Sequence, residues 1–275
     1  SQPDTSTSRF SSAIAGNGGL AGNQTWNLFD ASANSQALRD WIRTDQKTWT
    51  DVSLKVLDFV TSGELGDVSY ALGFQSRTEE LDIKRNDISI VEFNAAGDLT
   101  KPADMIFLGG GLETSASRSS NAIFGEASTM LNDQLELKGA LRYEDLSSGS
   151  TVDPKVSFRY QANDDVIVRG SYSTSFREAS LSQLNASGVG LQGIQDYNAD
   201  GSAKGGTVFI RIATVNNGVL EPEESDNINL GIIWSPTDEL EMKLDYWAID
   251  YTNVITVKNA QGLVRLTPNA TAVKR

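Results

Sequence analysis

Cysteine and histidine are both absent from the 275-residue sequence. Their absence excludes disulfide scaffolds, zinc sites built from Cys and His, cysteine nucleophiles and every catalytic triad that uses histidine. An enzyme would have to rely on carboxylates, lysine, tyrosine or serine. The acidic pairs Glu79-Glu80 and Glu223-Glu224 are poor two-carboxylate sites, because neighbouring side chains in a strand point to opposite faces. We therefore expect that the protein is not an enzyme.

Positive charge is also scarce, because 23 Lys and Arg stand against 36 Asp and Glu and leave a formal net charge of −13. A chain this acidic is a poor partner for nucleic acid, whose phosphates bind basic surfaces. No stretch approaches the roughly 18 consecutive apolar residues of a transmembrane helix. This excludes a helical membrane protein but leaves a membrane β-barrel open, since each barrel strand gives a much weaker signal. The opening residues SQPD lack a signal-peptide pattern, so we expect any signal peptide to have been removed or to lie upstream.

What the sequence does contain is an alternation of apolar and polar residues with a period of two. Between Leu135 and Glu144 the apolar residues fall on odd positions and mostly charged residues on even ones, which is typical of a half-buried strand. Several runs exceed ten residues, as in outer-membrane strands and unlike soluble sheets, whose strands average roughly five or six. About eight such runs occur, near residues 48–62, 67–84, 114–130, 134–146, 151–161, 165–177, 225–235 and 239–253.

Short joins alternate with longer joins along the chain. Tight joins fall at residues 63–66, 131–133, 162–164 and 236–238, and longer ones at 85–113, 146–151, 178–224 and after Asn253. The fold class predicted is therefore all-β, an antiparallel up-and-down meander that forms part of a transmembrane β-barrel with short periplasmic turns and long extracellular loops. One helix is predicted over 35–42, with Asn34 as its N-cap. The predicted regions are 1–47, an extracellular loop region with this short helix; 48–255, the barrel strands and loops; and 256–275, a truncated extracellular loop.

Six phrases, taken together, resemble the barrel of TonB-dependent outer-membrane receptors. The clearest is RGSYSTSFREASLSQL at 169–184, which is similar to the family's G-x-Y-S-x-x-F-R-A-P-S phrase followed by QL. LEPEESDN at 220–227 and DYWAID at 245–250 resemble the two phrases that follow it in the family. Residues 34–42, 107–111 and 122–127 are also similar, so the resemblance covers roughly residues 25 to 255. The chain departs from the pattern at Glu178-Ala179, where the family has Ala-Pro.

The resemblance implies energised uptake of a scarce solute, such as a ferric siderophore, haem, cobalamin or a glycan, across the outer membrane of a Gram-negative bacterium. The expected partners are outer-membrane lipid, a small-molecule or metal-chelate substrate, and the TonB complex acting through a plug domain. The plug domain, the first barrel strands and the last strand are not in this sequence, and family barrels have about 22 strands. We therefore expect the chain to be a central piece of such a barrel.

Candidate ligand contacts lie on the long-loop side: Trp26, Phe29, Arg177, Tyr197 and Phe209. The aromatic residues among them could stack on a ligand or simply pack the loops. The charged residues of the polar face, Arg177 included, are expected to form cross-strand pairs and plug contacts. A further group of aromatic residues is expected on the lipid-facing wall or its interfacial girdles: Tyr143, Tyr160, Trp234, Tyr246 and Trp247.

The loop at 196–202 matches the first half of a calcium loop. Asp196, Asn198 and Asp200 would supply oxygen ligands at alternate positions, and Gly201 would allow the sharp turn. Thr207 stands where a bidentate Glu is expected, so a plain polar turn remains the alternative. No other cofactor is expected.

Two other functions stay open from the residues alone. One is a passive outer-membrane porin or channel. The other is a soluble, secreted β-sandwich or adhesin module, with calcium bound in the loop at 196–202.

Overall fold

The computed structural model describes residues 1–198, 200–216, 218–266 and 273. The far end of the predicted 256–275 loop therefore lies largely outside the described residues. Strands dominate, and the helices are short. In chain order the elements are β1 (Gln2–Thr5), α1 (Thr7–Ile14), α2 (Gln36–Ile42), β2 (Arg43–Gln46), β3 (Thr48–Leu65), β4 (Val68–Arg85), β5 (Glu92–Phe93), β6 (Leu99–Lys101), β7 (Thr114–Asn132), β8 (Leu135–Leu146), β9 (Gly149–Gln161), β10 (Val166–Arg177), α3 (Leu181–Asn185), β11 (Gly188–Ile194), β12 (Val208–Thr214), β13 (Glu223–Thr237), β14 (Leu240–Thr252) and α4 (Ala260–Leu266).

One large antiparallel sheet carries the fold. Within the described residues it has eight strands in the order β14-β13-β10-β9-β8-β7-β4-β3, so every long strand lies beside the next long strand of the sequence. The predicted antiparallel meander is confirmed, and each of the eight predicted strand ranges agrees with the structure to within three residues. The long alternating runs made this prediction reliable, because a strand with two different faces leaves its period in the sequence.

The alternation gives the sheet two unlike faces. Leu230 of β13 lies opposite Tyr246 of β14 on one face, and the preceding Asn229 lies opposite Trp247 on the other. Leu230 is 50% exposed and Tyr246 is 63% exposed, because no second layer of the described chain covers them. We call this side the apolar face and the other side the polar face. The apolar face crosses all eight strands and includes Phe59, Leu72, Ile123, Leu141, Val156, Tyr172, Leu230 and Leu244.

The register corrects one expectation about the aromatic residues. Tyr246 lies on the apolar face, but Trp247 points to the polar face together with Asp245. The prediction that all five aromatic residues of that group lie on the lipid-facing wall or its girdles is therefore wrong for Trp247. The physical reason is simple, since two consecutive residues of a strand cannot share a face.

The apolar face has a limited height. On β4 its positions from Val68 to Phe74 are apolar, which is about seven residues or roughly 23 Å along the strand. Beyond them the same side carries Ser76, Thr78, Glu80 and Asp82. On the polar side at this level, Leu81 and Ile83 are buried and pack against Leu181 of α3. The end of β4 nearest the long loops therefore reverses the character of its two faces.

The joins and helices depart from the expectations in places. The join at 146–151, expected to be long, is a tight turn of Ser147 and Ser148 between β8 and β9, so that member of the long-loop series was wrong. Helix α2 occurs where predicted, but Ser35 rather than Asn34 is its N-cap, accepting a hydrogen bond from the Leu38 amide. The helices α1, α3 and α4 and the hairpin β11–β12 were not predicted. Among the described residues no helix combines the length and apolar character needed to cross a membrane.

Three long segments gather at one end of the sheet: residues 1–47, 85–113 and 178–224. We call them together the loop cap. Two small apolar clusters hold it, one of Ala13, Leu38 and Ile42 in the first segment and one that joins the second and third segments. The second cluster contains Val91, Ala103, Met105 and Val189. Glycine permits the closest approach, since a Cβ on Gly109 would lie 1.8 Å from the Val189 carbonyl oxygen.

Replacing Gly109→Ala is expected to loosen the third segment from the second, because a backbone atom of Val189 blocks the added methyl group. Overpacking of this kind costs about 1–3 kcal/mol, which corresponds to tryptic cleavage after Arg211 in β12 that is roughly five- to a hundredfold faster. The matched control is Gly190→Ala, whose Cβ meets nothing within 4 Å. Equal cleavage rates in the two variants would contradict the close approach.

Candidate functional site

Carboxylates fasten the first segment of the loop cap to the second. Asp104 accepts hydrogen bonds from the Ser6 hydroxyl at 2.7 Å and from the Ser8 amide at 2.7 Å. Asp4 accepts from the amides of Phe107 and Leu108, at 3.0 and 2.6 Å. Burial opposes ionisation of Asp104, but the hydrogen bonds from Ser6 and Ser8 outweigh it and lower the pKa of its carboxyl. The N-terminal segment is thus held by hydrogen bonds to two carboxyl groups rather than by a large apolar core.

Backbone pairing fastens the third segment to the second. The Val189 amide donates to the Gly110 carbonyl at 3.0 Å, and the Leu112 amide donates to the Ser187 carbonyl at 3.0 Å. The Arg211 guanidinium reaches across to the Met105 carbonyl oxygen at 2.7 Å. Residues 103–112 are therefore the common attachment for both other segments, which places the cap's three parts against one another.

The predicted ligand contacts divide into two groups within the cap. Trp26 stacks edge-to-face on Phe10, with ring centroids 5.6 Å apart, and packs on the first apolar cluster. Tyr197 lies under the Arg265 guanidinium, 5.6 Å from the ring centroid. In contrast, Phe29 is 101% exposed and Phe209 on β12 is 76% exposed. Trp26 and Tyr197 therefore pack against other side chains, while the rings of Phe29 and Phe209 are exposed to solvent.

Arg177 acts as a tether at the rim of the sheet. Its Nε lies 2.5 Å from Glu223 Oε2, and the other oxygen of Glu223 accepts from the Ile255 amide at 2.8 Å. The pair closes the ends of β10 and β13 and holds the chain after β14. In the described part of the chain no hydrogen bond, ion pair or ring contact joins Arg177 to Trp26, Phe29, Tyr197 or Phe209.

The loop predicted to bind calcium is a turn closed by its own side chains. Asp200 accepts from the amide and the hydroxyl of Ser202, at 2.9 and 2.6 Å, and these bonds lower the pKa of its carboxyl. Asn198 donates from its side-chain nitrogen to the Ser202 hydroxyl, and Asp196 faces Lys204 at 3.8 Å. No group of three His, Cys, Asp or Glu that could hold a metal ion occurs among the described residues. The calcium site stays a prediction.

The polar face carries a chain of alternating charges. Glu144, whose side chain is 2% exposed, lies 2.6 Å from Arg142 and 2.6 Å from Arg77. Arg77 also approaches Glu79 at 3.7 Å. Because Glu144 lies between two guanidinium groups, the cost of burying its carboxylate is offset by ion pairs on both sides. We call the whole set the ion-pair ladder: Arg142, Glu144, Arg77, Glu79, Arg118 and Glu178.

The ladder continues into the loop cap through two residues that were not predicted. Arg118 of β7 lies 2.7 Å from Glu79 and 3.0 Å from Glu178. Glu178 also accepts from the hydroxyls of Ser147 and Ser148, at 2.8 and 3.0 Å. Arg118 is the lone charge in the polar run of 114–121, and Glu178 is a departure from the family phrase. Both residues could be noticed in the sequence, but only the folded structure shows that their side chains form an ion pair.

Other predicted charges also pair across strands. Arg169 of β10 reaches Asp245 of β14 at 2.8 Å, passing over Gly231 of the strand between them. A Cβ on Gly231 would lie 2.2 Å from Asp245 Oδ1, so the absence of a side chain makes room for the pair. The expectation of cross-strand pairs is met by Arg169 and Arg177.

Comparisons with known proteins agree on one architecture. The family model described as TonB dependent receptor-like, beta-barrel matches residues 3–270. The ferric enterobactin receptor PfeA of Pseudomonas aeruginosa is similar in structure, with a TM-score of 0.55 and 20% identity over 74% of this chain and 27% of that one. The siderophore receptor PirA of Acinetobacter baumannii gives 0.50 and 17% over 85% and 29%. The chain thus spans less than a third of the length of these receptors. It has no match among curated proteins.

Replacing Glu178→Ala is expected to weaken the attachment of the third cap segment, because Arg118 keeps Glu79 but loses a buried partner. Breaking a buried pair costs about 3 kcal/mol, which should appear in the free energy of unfolding measured by urea titration. The control is Glu224→Ala, an exposed carboxylate at the same end of the sheet with no ion pair among the described residues. It should change stability by less than about 0.5 kcal/mol. Similar losses in both variants would count against the ladder.

Acid is expected to release the N-terminal segment through Asp104. The folded pKa of this carboxyl lies below its ordinary value of 3.8, so its stabilising contribution is present above that value and is lost as the pH falls through the folded pKa. Hydrogen exchange of the α1 amides, corrected for intrinsic rates, should show protection at pH 6 that declines below pH about 4. Asp104→Asn should lower the protection at pH 6 and remove this decline. A decline that persists in Asp104→Asn would assign it to another group.

Proposed function

The chain belongs to the family of TonB-dependent receptor β-barrels, and we propose that it forms part of the barrel wall and the loop cap of an outer-membrane receptor. On this proposal the receptor carries out energised solute uptake in a Gram-negative bacterium. The observation that carries the proposal is the two-faced sheet whose long loops all emerge at one end. Each long loop joins two neighbouring strands, since Ile83 pairs with Thr114 and Arg177 pairs with Glu223. Strands β4 and β10 run in the same direction, because β7, β8 and β9 lie between them in the antiparallel order. The loops 85–113 and 178–224 therefore leave the sheet at the same end.

The apolar face suits contact with lipid tails. Hydrocarbon offers no hydrogen bonds, so a spanning strand must have its backbone groups paired with neighbouring strands and apolar side chains outward. The face meets both demands across β4 to β13, with exposed residues such as Leu72, Leu141 and Leu230. The secreted β-sandwich alternative would need a second sheet on this face, and the described residues provide none.

The polar face then lines a watery interior, and the loop cap faces the outside of the cell. On this proposal the family's energy coupling reaches the barrel through TonB and a plug domain, which are partners of the whole receptor. The ion-pair ladder crosses the interior wall and ends at Glu178, at the root of the third cap segment. The ion pair between Arg118 and Glu178 thus connects the sheet to the loop cap.

The solute proposed is a ferric siderophore. PfeA is described as a ferric enterobactin receptor and PirA as a siderophore receptor. The cap offers Phe29 and Phe209 as exposed rings for stacking on a flat ligand. Arg177, Trp26 and Tyr197 are proposed to support the site rather than to contact the ligand, because each is held by a protein neighbour. A calcium ion at Asp196, Asn198 and Asp200 would brace the hairpin β11–β12.

Iron uptake by cells tests the proposal. A strain that lacks its own receptors and expresses the complete protein should accumulate radioactive iron from ferric enterobactin or another ferric siderophore, and deletion of TonB should abolish accumulation. Phe29→Ala combined with Phe209→Ala should weaken siderophore binding about tenfold, since each stacked ring contributes roughly 0.5–1.5 kcal/mol. Leu20→Ala, at a residue that is 97% exposed, is the control. Uptake that persists without TonB would instead support the passive channel.

A further inference from the structure

The second and third segments of the loop cap carry an excess of negative charge. Residues 85–113 and 178–224 together contain eleven Asp and Glu against four Lys and Arg, whereas residues 1–47 contain four of each. The loop cap therefore has a net charge of −7. Charges act on one another over about 10 Å in moderate salt, so this excess is felt by a solute before it contacts the protein.

The cations of these two segments already have partners within the protein. Two of the four form ion pairs with carboxylates, and the other two donate hydrogen bonds to backbone carbonyl oxygens. The ion pairs, at 2.9 and 3.8 Å, are Lys101–Glu92 and Lys204–Asp196. The two donors, at 2.7 and 3.1 Å, are Arg211 and Arg85. Among the described residues of the two segments, no cation is left to attract an anionic solute.

Some carboxylates of the same segments, in contrast, have no such partner. Asp87, Glu221 and Glu224 are exposed to solvent, and none of them forms an ion pair or a side-chain hydrogen bond with a described residue. Their effect does not require contact with a ligand, because surface charges of one sign set the potential around them. The potential is therefore negative around the cap, which also carries the exposed rings of Phe29 and Phe209.

We propose that the solute is a ferric chelate without net negative charge, of the tris-hydroxamate class. Three hydroxamate groups carry one negative charge each and balance the charge of Fe(III), whereas three catecholate groups leave a strongly anionic chelate. A negative potential slows the approach of an anionic chelate and leaves that of a neutral one unchanged. Phenylalanine rings suit a neutral ligand, since they offer a large apolar contact area. The inference rests on the proposed function and narrows its solute.

A series of chelates that share one iron-binding core tests the charge preference. Ferrioxamine B is a tris-hydroxamate with a terminal amine, which can be acetylated to a neutral form or succinylated to a form that ends in a carboxylate. The complete protein, expressed in a strain without its own receptors, should import radioactive iron from the acetylated form about fivefold faster than from the succinylated form at low ionic strength. Deletion of TonB should abolish both activities.

Charge variants assign this preference to the loop cap. In the triple variant Asp87→Asn, Glu221→Gln and Glu224→Gln, the ratio of the two rates should fall to about twofold, because three repelling charges are removed. The matched control is Asp133→Asn, Asp164→Asn and Asp238→Asn, which changes the net charge equally at the short turns of the opposite end of the sheet. Its ratio should remain that of the wild type. Immunoblots of the outer-membrane fraction verify equal amounts of receptor.

The outcomes separate this inference from the proposed function. TonB-dependent uptake that is faster from ferric enterobactin than from every ferrioxamine, or that does not distinguish the acetylated and succinylated forms, would overturn the inference and leave the proposed function standing. A ratio that changes equally in both triple variants would also overturn it. The absence of TonB-dependent uptake from any of these ferric chelates would instead count against the proposed function, and the inference would fail with it.

Discussion

Each long strand of this sheet places its side chains alternately in two environments, and the register between strands decides whether the alternation survives across the sheet. A slip of one residue would turn every apolar side chain of a strand to the polar side. Leu230 opposite Tyr246, and Tyr172 opposite Ile228, show the register that is kept. The same register that gathers apolar residues on one face gathers charges on the other. The lipid contact and the interior lining proposed for the two faces both depend on it.

The ion-pair ladder is the main consequence of that register on the polar face. Arg77 on β4 and Glu144 on β8 are separated by the whole of β7, yet their side chains meet at 2.6 Å. A carboxylate as buried as Glu144 is tolerable only with cations on both sides. Each charged side chain of the ladder therefore stabilises the neighbouring side chains of opposite charge. The last member, Glu178, belongs to the loop cap. A wall stabilised by charge in this way also fixes where the third cap segment begins.

The sequence predicted the strands well and the loops poorly, for a physical reason. A period of two is a local property, so the ranges of strands such as Thr48–Leu65 and Val166–Arg177 could be read without knowing their neighbours. The loop cap depends on contacts between segments far apart in the chain, such as Ser6 with Asp104 and Gly109 with Val189. Nothing local distinguishes these residues. The tight turn at Ser147 was likewise misread, because its partner Glu178 lies far along the chain.

The candidate site residues differ in whether another part of the protein already contacts their side chains. Of the aromatic candidates, Trp26 and Tyr197 already pack on other side chains, whereas the rings of Phe29 and Phe209 are exposed to solvent. The same criterion applied to the polar face describes the ion-pair ladder, in which each charged side chain lies against one of opposite sign. Groups that fold the protein and groups that bind a ligand draw on the same chemistry, and the difference between them is whether the protein itself supplies the partner.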